Sequence, residues 1–202
     1  TQTEIASLTL DDGFSLSDES VSAVVDARPD VVFVCSPNNP TGNAQPVAAV
    51  ASLAGRTDAL VIVDEAYIEF GGSSCLPLVA DHPNVVVTRT MSKAFALAGA
   101  RIGYALASPE VVEDLQRVRL PYHLSAITQA AGVAALRHVK EAIAILDEIR
   151  DERDRILSAL RAMPDVTVWP KPNALPIAST GSPTSTRSSV PNVIDGSPVA
   201  SA

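Results

Sequence analysis

Positive charge is scarce in this sequence: 15 lysines and arginines stand against 23 aspartates and glutamates, for a formal net charge of -8. Phosphate backbones are bound through basic stripes, so this balance argues against a nucleic-acid partner. Long apolar runs are missing as well. None approaches the roughly 20 residues that span a bilayer, and the first ten residues lack the basic-then-apolar order of a secretory signal. A cytoplasmic protein without a membrane partner is expected. Cysteine is nearly absent, with only Cys35 and Cys75, unclustered and set in apolar or turn sequence. That excludes a disulfide framework and suggests no metal site, so both are expected to be small buried residues.

What is present suits one sizeable core: 202 residues, 47% hydrophobic and 19% charged. Three short, β-branched runs, "VVFVCS" (31–36), "ALVIVD" (59–64) and "VVVTRT" (85–90), read as strands buried on both faces of a parallel sheet. Between the first two, "QPVAAVASLAG" reads as a helix ending at Gly55, which makes a βαβ crossover. Ser17 caps a short helix through Val25, "RIGYALAS" (101–108) reads as a further strand, and Ser108 with Pro109 opens another helix. The stretch from Ser125 to Met163 is helical throughout, its second part carrying Leu146, Ile149, Ile156, Leu160 and Met163 on an apolar face. The charge run from Asp147 to Arg155 then reads as a solvated surface laced with short-range ion pairs. "VTVW" (166–169) could begin one more strand. Residues 171–202, with seven Ser, five Pro and three Thr, show no helical or strand period and are expected to be disordered. The fold class is α/β.

Lysine is rarer still than positive charge as a whole, and Lys93 of "TMSKAFALAGARIGY" (90–104) sits among small and apolar residues. Ligands of an open parallel sheet bind beyond the carboxyl ends of its strands. Those ends lead here into Ser36-Pro-Asn-Asn-Pro-Thr-Gly42, Asp64-Glu-Ala-Tyr67 and Thr90-Met-Ser-Lys93. Together they offer an amide (Asn39), a carboxylate (Asp64), a phenol (Tyr67), two hydroxyls (Thr90, Ser92), an amine (Lys93) and, just downstream, a guanidinium (Arg101). An amine held in an apolar pocket near a guanidinium is made nucleophilic by desolvation and like charge, the condition for Schiff-base formation with a carbonyl cofactor. Pyridoxal phosphate would use every remaining group. Of the other candidates, His82 reads as a loop residue, His138 as a helix-surface residue, His123 as structural or near an interface, and Gly71-Gly72 as a turn.

"SPNNPTG", "VDEAYIEF" and "TMSKAFALAGARIGY" resemble, in order and spacing, the three central motifs of the fold-type I pyridoxal-phosphate aminotransferases, within the class that contains histidinol-phosphate aminotransferase. The resemblance covers roughly residues 5–170 and implies a large domain with a mostly parallel sheet flanked by helices, truncated at both ends. Residues 1–165 would form the cofactor-binding fragment, including the long helix leading to a small domain, and 171–202 the disordered tail. It further implies that Lys93 forms the Schiff base, that Asp64 pairs with the pyridinium nitrogen, and that Asn39 and Tyr67 bond the ring's phenolic oxygen. Thr90, Ser92 and Arg101 would meet the phosphate. The activity implied is amino transfer from histidinol phosphate to 2-oxoglutarate, a step of histidine biosynthesis, by a homodimer. Threonine-phosphate decarboxylases and aromatic aminotransferases share these motifs. The family's glycine-containing phosphate loop, its ring-stacking aromatic residue and its substrate-holding arginine lie outside the matched segment. A truncated or frameshifted, non-catalytic remnant is the alternative reading.

Overall fold

The computed structural model describes residues 4–8 and 10–168, and the backbone of residues 178–180. After helix α1 (Asp18–Ala27) the chain forms β1 (Val31–Cys35), α2 (Val47–Arg56), β2 (Leu60–Asp64), β3 (Val85–Thr90) and β4 (Gly103–Leu106). The strands make one sheet in the order β1-β2-β3-β4. β1, β2 and β3 run parallel, in a register that sets Cys35 beside Asp64 and Asp64 beside Thr88. The final strand is antiparallel to β3, with Thr90 opposite Gly103. Residues 91–102, which join β3 to β4, hold no α-helix of the kind that carries a parallel crossover. The expected crossover helix α2 ends at Arg56, one residue beyond Gly55.

The core lies on one side of this sheet, where Val34, Val61, Val63, Val85 and Val87 meet Val21 of α1, Val50 and Leu53 of α2, and the loop residues Leu16 and Cys75. Cys75 is fully buried, and burial pushes its thiol up to about 11. The expectation of strands buried on both faces holds for Val85, Val86 and Val87 but not for β1, whose Phe33 is 68% exposed. Continuous apolar sequence is a necessary mark of two covered faces, not a sufficient one: among the described residues, no element covers the outer side of Phe33.

Three serines behave as the capping rule demands. Ser17 accepts from Ser20 N (3.1 Å), Ser108 from Val111 N (3.5 Å) and Ser125 from Thr128 N (3.1 Å). They open α1, α3 (Pro109–Val118) and α4 (Ala126–Arg137). His138 is not a plain helix-surface residue: it divides α4 from α5 (Val139–Arg161), its backbone N–H closing α4 and its ring contacting Glu141 at 3.1 Å. Beyond the long helix, β5 (Val166–Val168) pairs antiparallel with β6 (Ala178–Thr180). Those three residues depart from the disorder expected of the tail; 171–177 and 181–202 lie outside the described residues. No helix among the described residues is long and apolar enough to cross a membrane.

One polar cluster is walled into this fold. Glu65 is fully buried. Its carboxylate accepts from Arg89 Nε (3.1 Å) and NH2 (2.9 Å), from Ser74 Oγ (3.0 and 2.9 Å to its two oxygens) and from Cys75 N (2.6 Å). Nearby, in the 3-10 turn Ile68–Phe70, Glu69 keeps a buried carboxylate oxygen, Oε2, without a hydrogen bond. Burial, aided by the charge of Glu65 and opposed by Arg89, raises the Glu69 carboxyl above its ordinary value.

Two outcomes follow. Glu65→Ala leaves the Arg89 guanidinium, Ser74 and the Cys75 N–H without their acceptor, and urea unfolding should show a loss of about 3–5 kcal/mol. For Glu69 the folded form binds its proton more tightly than the unfolded one, so its contribution is present at acidic pH and is lost as pH rises through the raised value. Glu69→Gln should remove that loss, so the variant, compared with the parent chain by thermal unfolding across pH, should gain stability toward neutrality and not at pH 4.

Candidate active site

The carboxyl ends of β1, β2 and β3 open on the same edge, and each runs into one of the three motif loops. The first, 36–43, is held from within. Asn38 N donates to Asn43 O and Gly42 N to Asn38 O, both at 2.8 Å, while Asn38 Nδ2 donates to Thr41 Oγ1 at 2.7 Å. Gly42 has φ 74°, a left-handed conformation that a side chain would strain. Beneath it, Gln45 Oε1 accepts from Leu16 N (2.7 Å) and Gln45 N donates to Ser36 Oγ (2.9 Å), so the loop is moored to the N-terminal segment. A moored loop leaves Asn39 exposed at its tip.

From there Asn39 Nδ2 donates to Tyr67 Oη at 3.3 Å, across 28 residues of sequence. The ammonium of Lys93 stands 5.4 Å from the centre of the same Tyr67 ring. At such an exposed site this cation–π contact is worth about 0.5–1 kcal/mol. Three of the seven predicted site residues, one from each loop, therefore meet around a single phenol. Asp64, at the end of β2, is half-buried and its Oδ1 accepts from Ala66 N at 3.0 Å, which orients the carboxylate. Burial, and after it the Asp64 charge, raise the thiol of the neighbouring Cys35.

Lys93 is carried by a closed loop. Its neck is the bond from Met91 N to Ile102 O (3.0 Å), doubled by Thr90 Oγ1 donating to the same carbonyl at 3.2 Å. Inside, Ser92 N donates to Thr90 Oγ1 (3.1 Å) and Ala96 N to Lys93 O (3.0 Å). Thr90 and Ser92 are thus adjacent to one another and to Lys93 through the backbone. Arg101 is exposed, and its guanidinium donates to Ala98 O at 3.3 Å rather than to either hydroxyl. Fold and loop closure bring it near in sequence without joining it to the Tyr67 group.

Two expectations need correction. Lys93 is exposed, so the apolar pocket that sequence reasoning invoked to desolvate it is not supplied by the described residues. The charge run of α5 does hold local ion pairs, Arg150 to Asp147 (2.6 Å) and Arg155 to Glu152 (2.8 Å). It is not merely solvated, however: Arg150 also donates to Glu69 O, and Arg153 to Phe70 O at 2.8 Å, just past Tyr67. Sequence reasoning also passed over Glu65 and Arg89, each next to a predicted site residue. Their signal in the sequence is one charge within β3 and another directly after β2, each beside buried valines. The concavity lined by Arg119, Tyr122, His123, Leu124 and Gln129, about 390 Å³, includes none of the predicted site residues.

The donor set fits pyridoxal phosphate: a paired amide and phenol for an anionic ring oxygen, an oriented carboxylate for a protonated ring nitrogen, an amine beside them, and hydroxyls at the strand end for a phosphate. Comparison with known proteins agrees in kind. The family description "Aminotransferase class I and II" matches residues 3–191. The histidinol-phosphate aminotransferase of Thermobifida fusca is 52% identical over 149 residues, covering 72% of this chain and 41% of that protein. Among solved structures, histidinol-phosphate aminotransferase from Sinorhizobium meliloti, in complex with pyridoxal-5'-phosphate, superposes with a TM-score of 0.70 at 29% identity, over 81% of this chain and 45% of that one. The enzyme of the same name from Clostridium acetobutylicum gives 0.73 at 26% identity, over 83% and 52%. The chain thus spans about two fifths of the length of the Thermobifida fusca protein.

Proposed function

The chain belongs to the class I and II aminotransferases, and from that premise we propose that it binds pyridoxal phosphate at the carboxyl edge of its sheet and transfers an amino group from histidinol phosphate to 2-oxoglutarate. The observation that carries the reading is the meeting of Asn39, Tyr67 and Lys93, with contacts of 3.3 and 5.4 Å, at the ends of three neighbouring strands. The relatives at about half identity are named for that donor, which supports the choice of substrate over threonine phosphate or an aromatic amino acid.

When bound, pyridoxal phosphate supplies an aldehyde for amine exchange and a ring that withdraws electrons. Lys93 Nζ would hold it covalently and, as a free amine, would serve as the base for the proton on the donor's amino-bearing carbon. Asp64, its Oδ1 fixed by Ala66 N–H, would keep the ring nitrogen protonated through its other oxygen. Asn39 Nδ2 donates to Tyr67 Oη, which leaves the phenol proton to point at an anionic oxygen. Thr90, Ser92 and Arg101 would supply donors for the phosphate, Thr90 after leaving Ile102 O and Arg101 after leaving Ala98 O. We also propose that it acts as a homodimer in the cytoplasm. The exposure of Val118, Leu120, Tyr122 and Ile127, at 78, 76, 99 and 84%, supports a covered surface of that kind.

A second reading, a chain that keeps the motifs without the activity, is favoured by the exposure of Lys93. Pyridoxal phosphate followed by borohydride separates the two. On the first reading, peptide mapping finds the label on Lys93, Lys93→Ala loses it, and histidinol phosphate, unlike threonine phosphate, changes the visible spectrum before reduction. Equal labelling of Lys93→Ala, at Lys140 or Lys171, would establish the second.

A further inference from the structure

Tyr67 carries the proposed site, yet little packing holds it. The 3-10 turn that follows it, Ile68–Phe70, contains no buried residue. Its start is tied to the sheet end by Ile68 N donating to Glu65 O (3.1 Å), while Phe70 N to Tyr67 O (3.0 Å) and Gly71 N to Ile68 O (3.1 Å) fix its shape but leave its far end unheld. The carbonyls at its far end have no partner inside so short a helix and must find one elsewhere.

They find it on α5. Leu146, Arg150, Arg153 and Leu157 are spaced 4, 3 and 4 apart, a single stripe along that helix. The two leucines are buried, 4 and 6% exposed, and so mark the covered side of the helix. Between them Arg150 donates to Glu69 O and Arg153 NH1 to Phe70 O at 2.8 Å, contacts across 81 and 83 residues of sequence. Each guanidinium is steadied from its own helix, Arg150 by Asp147 Oδ1 (2.6 Å) and Arg153 by Asp154 Oδ1 (2.9 Å). A guanidinium aimed by a carboxylate gives a charge-assisted bond of fixed direction.

We propose that Arg150 and Arg153 are positioning residues for Tyr67: from the covered side of α5 they clamp the turn behind it and so set where its phenol stands relative to Asn39 and Lys93. The inference deepens the function proposed above, and its relevance to catalysis rests on that reading. Its consequence is that the long helix, a surface element by its charge, is mechanically joined to the phenol of the cofactor site.

The chain has three tyrosines, Tyr67, Tyr104 and Tyr122, so 3-fluorotyrosine labelling gives three fluorine resonances, assigned with Tyr67→Phe. In the double variant Arg150→Gln/Arg153→Gln the Tyr67 resonance should move by more than its linewidth while those of Tyr104 and Tyr122 stay. Arg150→Lys/Arg153→Lys, which keeps a cationic donor at each place, should move it less. Affinity for added pyridoxal phosphate should fall about tenfold in the glutamine variant. An unmoved Tyr67 resonance in a folded glutamine variant would overturn the proposal, as would a joint shift of all three, which marks general loosening. Should the double variant not fold, Arg153→Gln alone, losing the contact with Phe70 O, decides in the same way. If the parent chain takes up no pyridoxal phosphate, the functional reading fails while the fluorine result still judges the clamp.

Discussion

The candidate site depends on two strands ending together, and a buried ion pair makes them do so. Glu65 directly follows Asp64, and Arg89 directly precedes Thr90. Because successive strand residues point to opposite faces, a bond between Glu65 and Arg89 on one face fixes the separation of Asp64 and Thr90 on the other. A carboxylate sealed from water has few ways to be satisfied. This one takes both nitrogens of a guanidinium, a hydroxyl and a backbone amide, so a lateral slip of either strand end would break several charge-assisted bonds at once. Pairing of this kind adds little net stability compared with an apolar filling, but it penalises displacement strongly. A reaction edge needs the second property more than the first.

Around that fixed edge the remaining parts differ in how they are held. The Asn39 loop is tied internally and to the N-terminal segment through Gln45, and the Lys93 loop is pinched shut at Ile102. Both are backbone solutions that leave the tip residues exposed. The Tyr67 turn is closed only at its start, by Ile68 N on Glu65 O, and the carbonyls at its far end lean on arginines from α5. The three loops thus meet at one phenol by three different means, and the phenol is the member whose place depends most on tertiary contacts.

The side of the sheet that carries the core is closed and apolar; elsewhere large apolar residues face outward, Phe33 on β1 and Val118, Leu120 and Ile127 along α3, α4 and the connection between them. Nothing in local sequence separates these from core residues. Apolar identity says that a surface prefers to be covered, and it leaves the covering element unnamed.

Much of the fold was legible because its causes are local. Parallel strands announce themselves as β-branched runs, serines at helix starts as caps, and the placement of Asn39, Asp64, Tyr67 and Lys93 at strand ends follows from the topology of an open sheet. The antiparallel direction of β4 goes with a connection that holds no crossover helix. What stayed hidden was pairwise and distant: that Glu65 needs Arg89, that Arg150 and Arg153 reach back past 80 residues to the turn behind Tyr67, that Lys93 stands in the open and Arg101 turns toward Ala98. Sequence by itself determined which chemical groups the sheet edge carries, since side-chain identity and strand order are written in the chain. The tertiary structure alone decided which of them touch, because contact distance and burial arise only when separate segments compete for the same space.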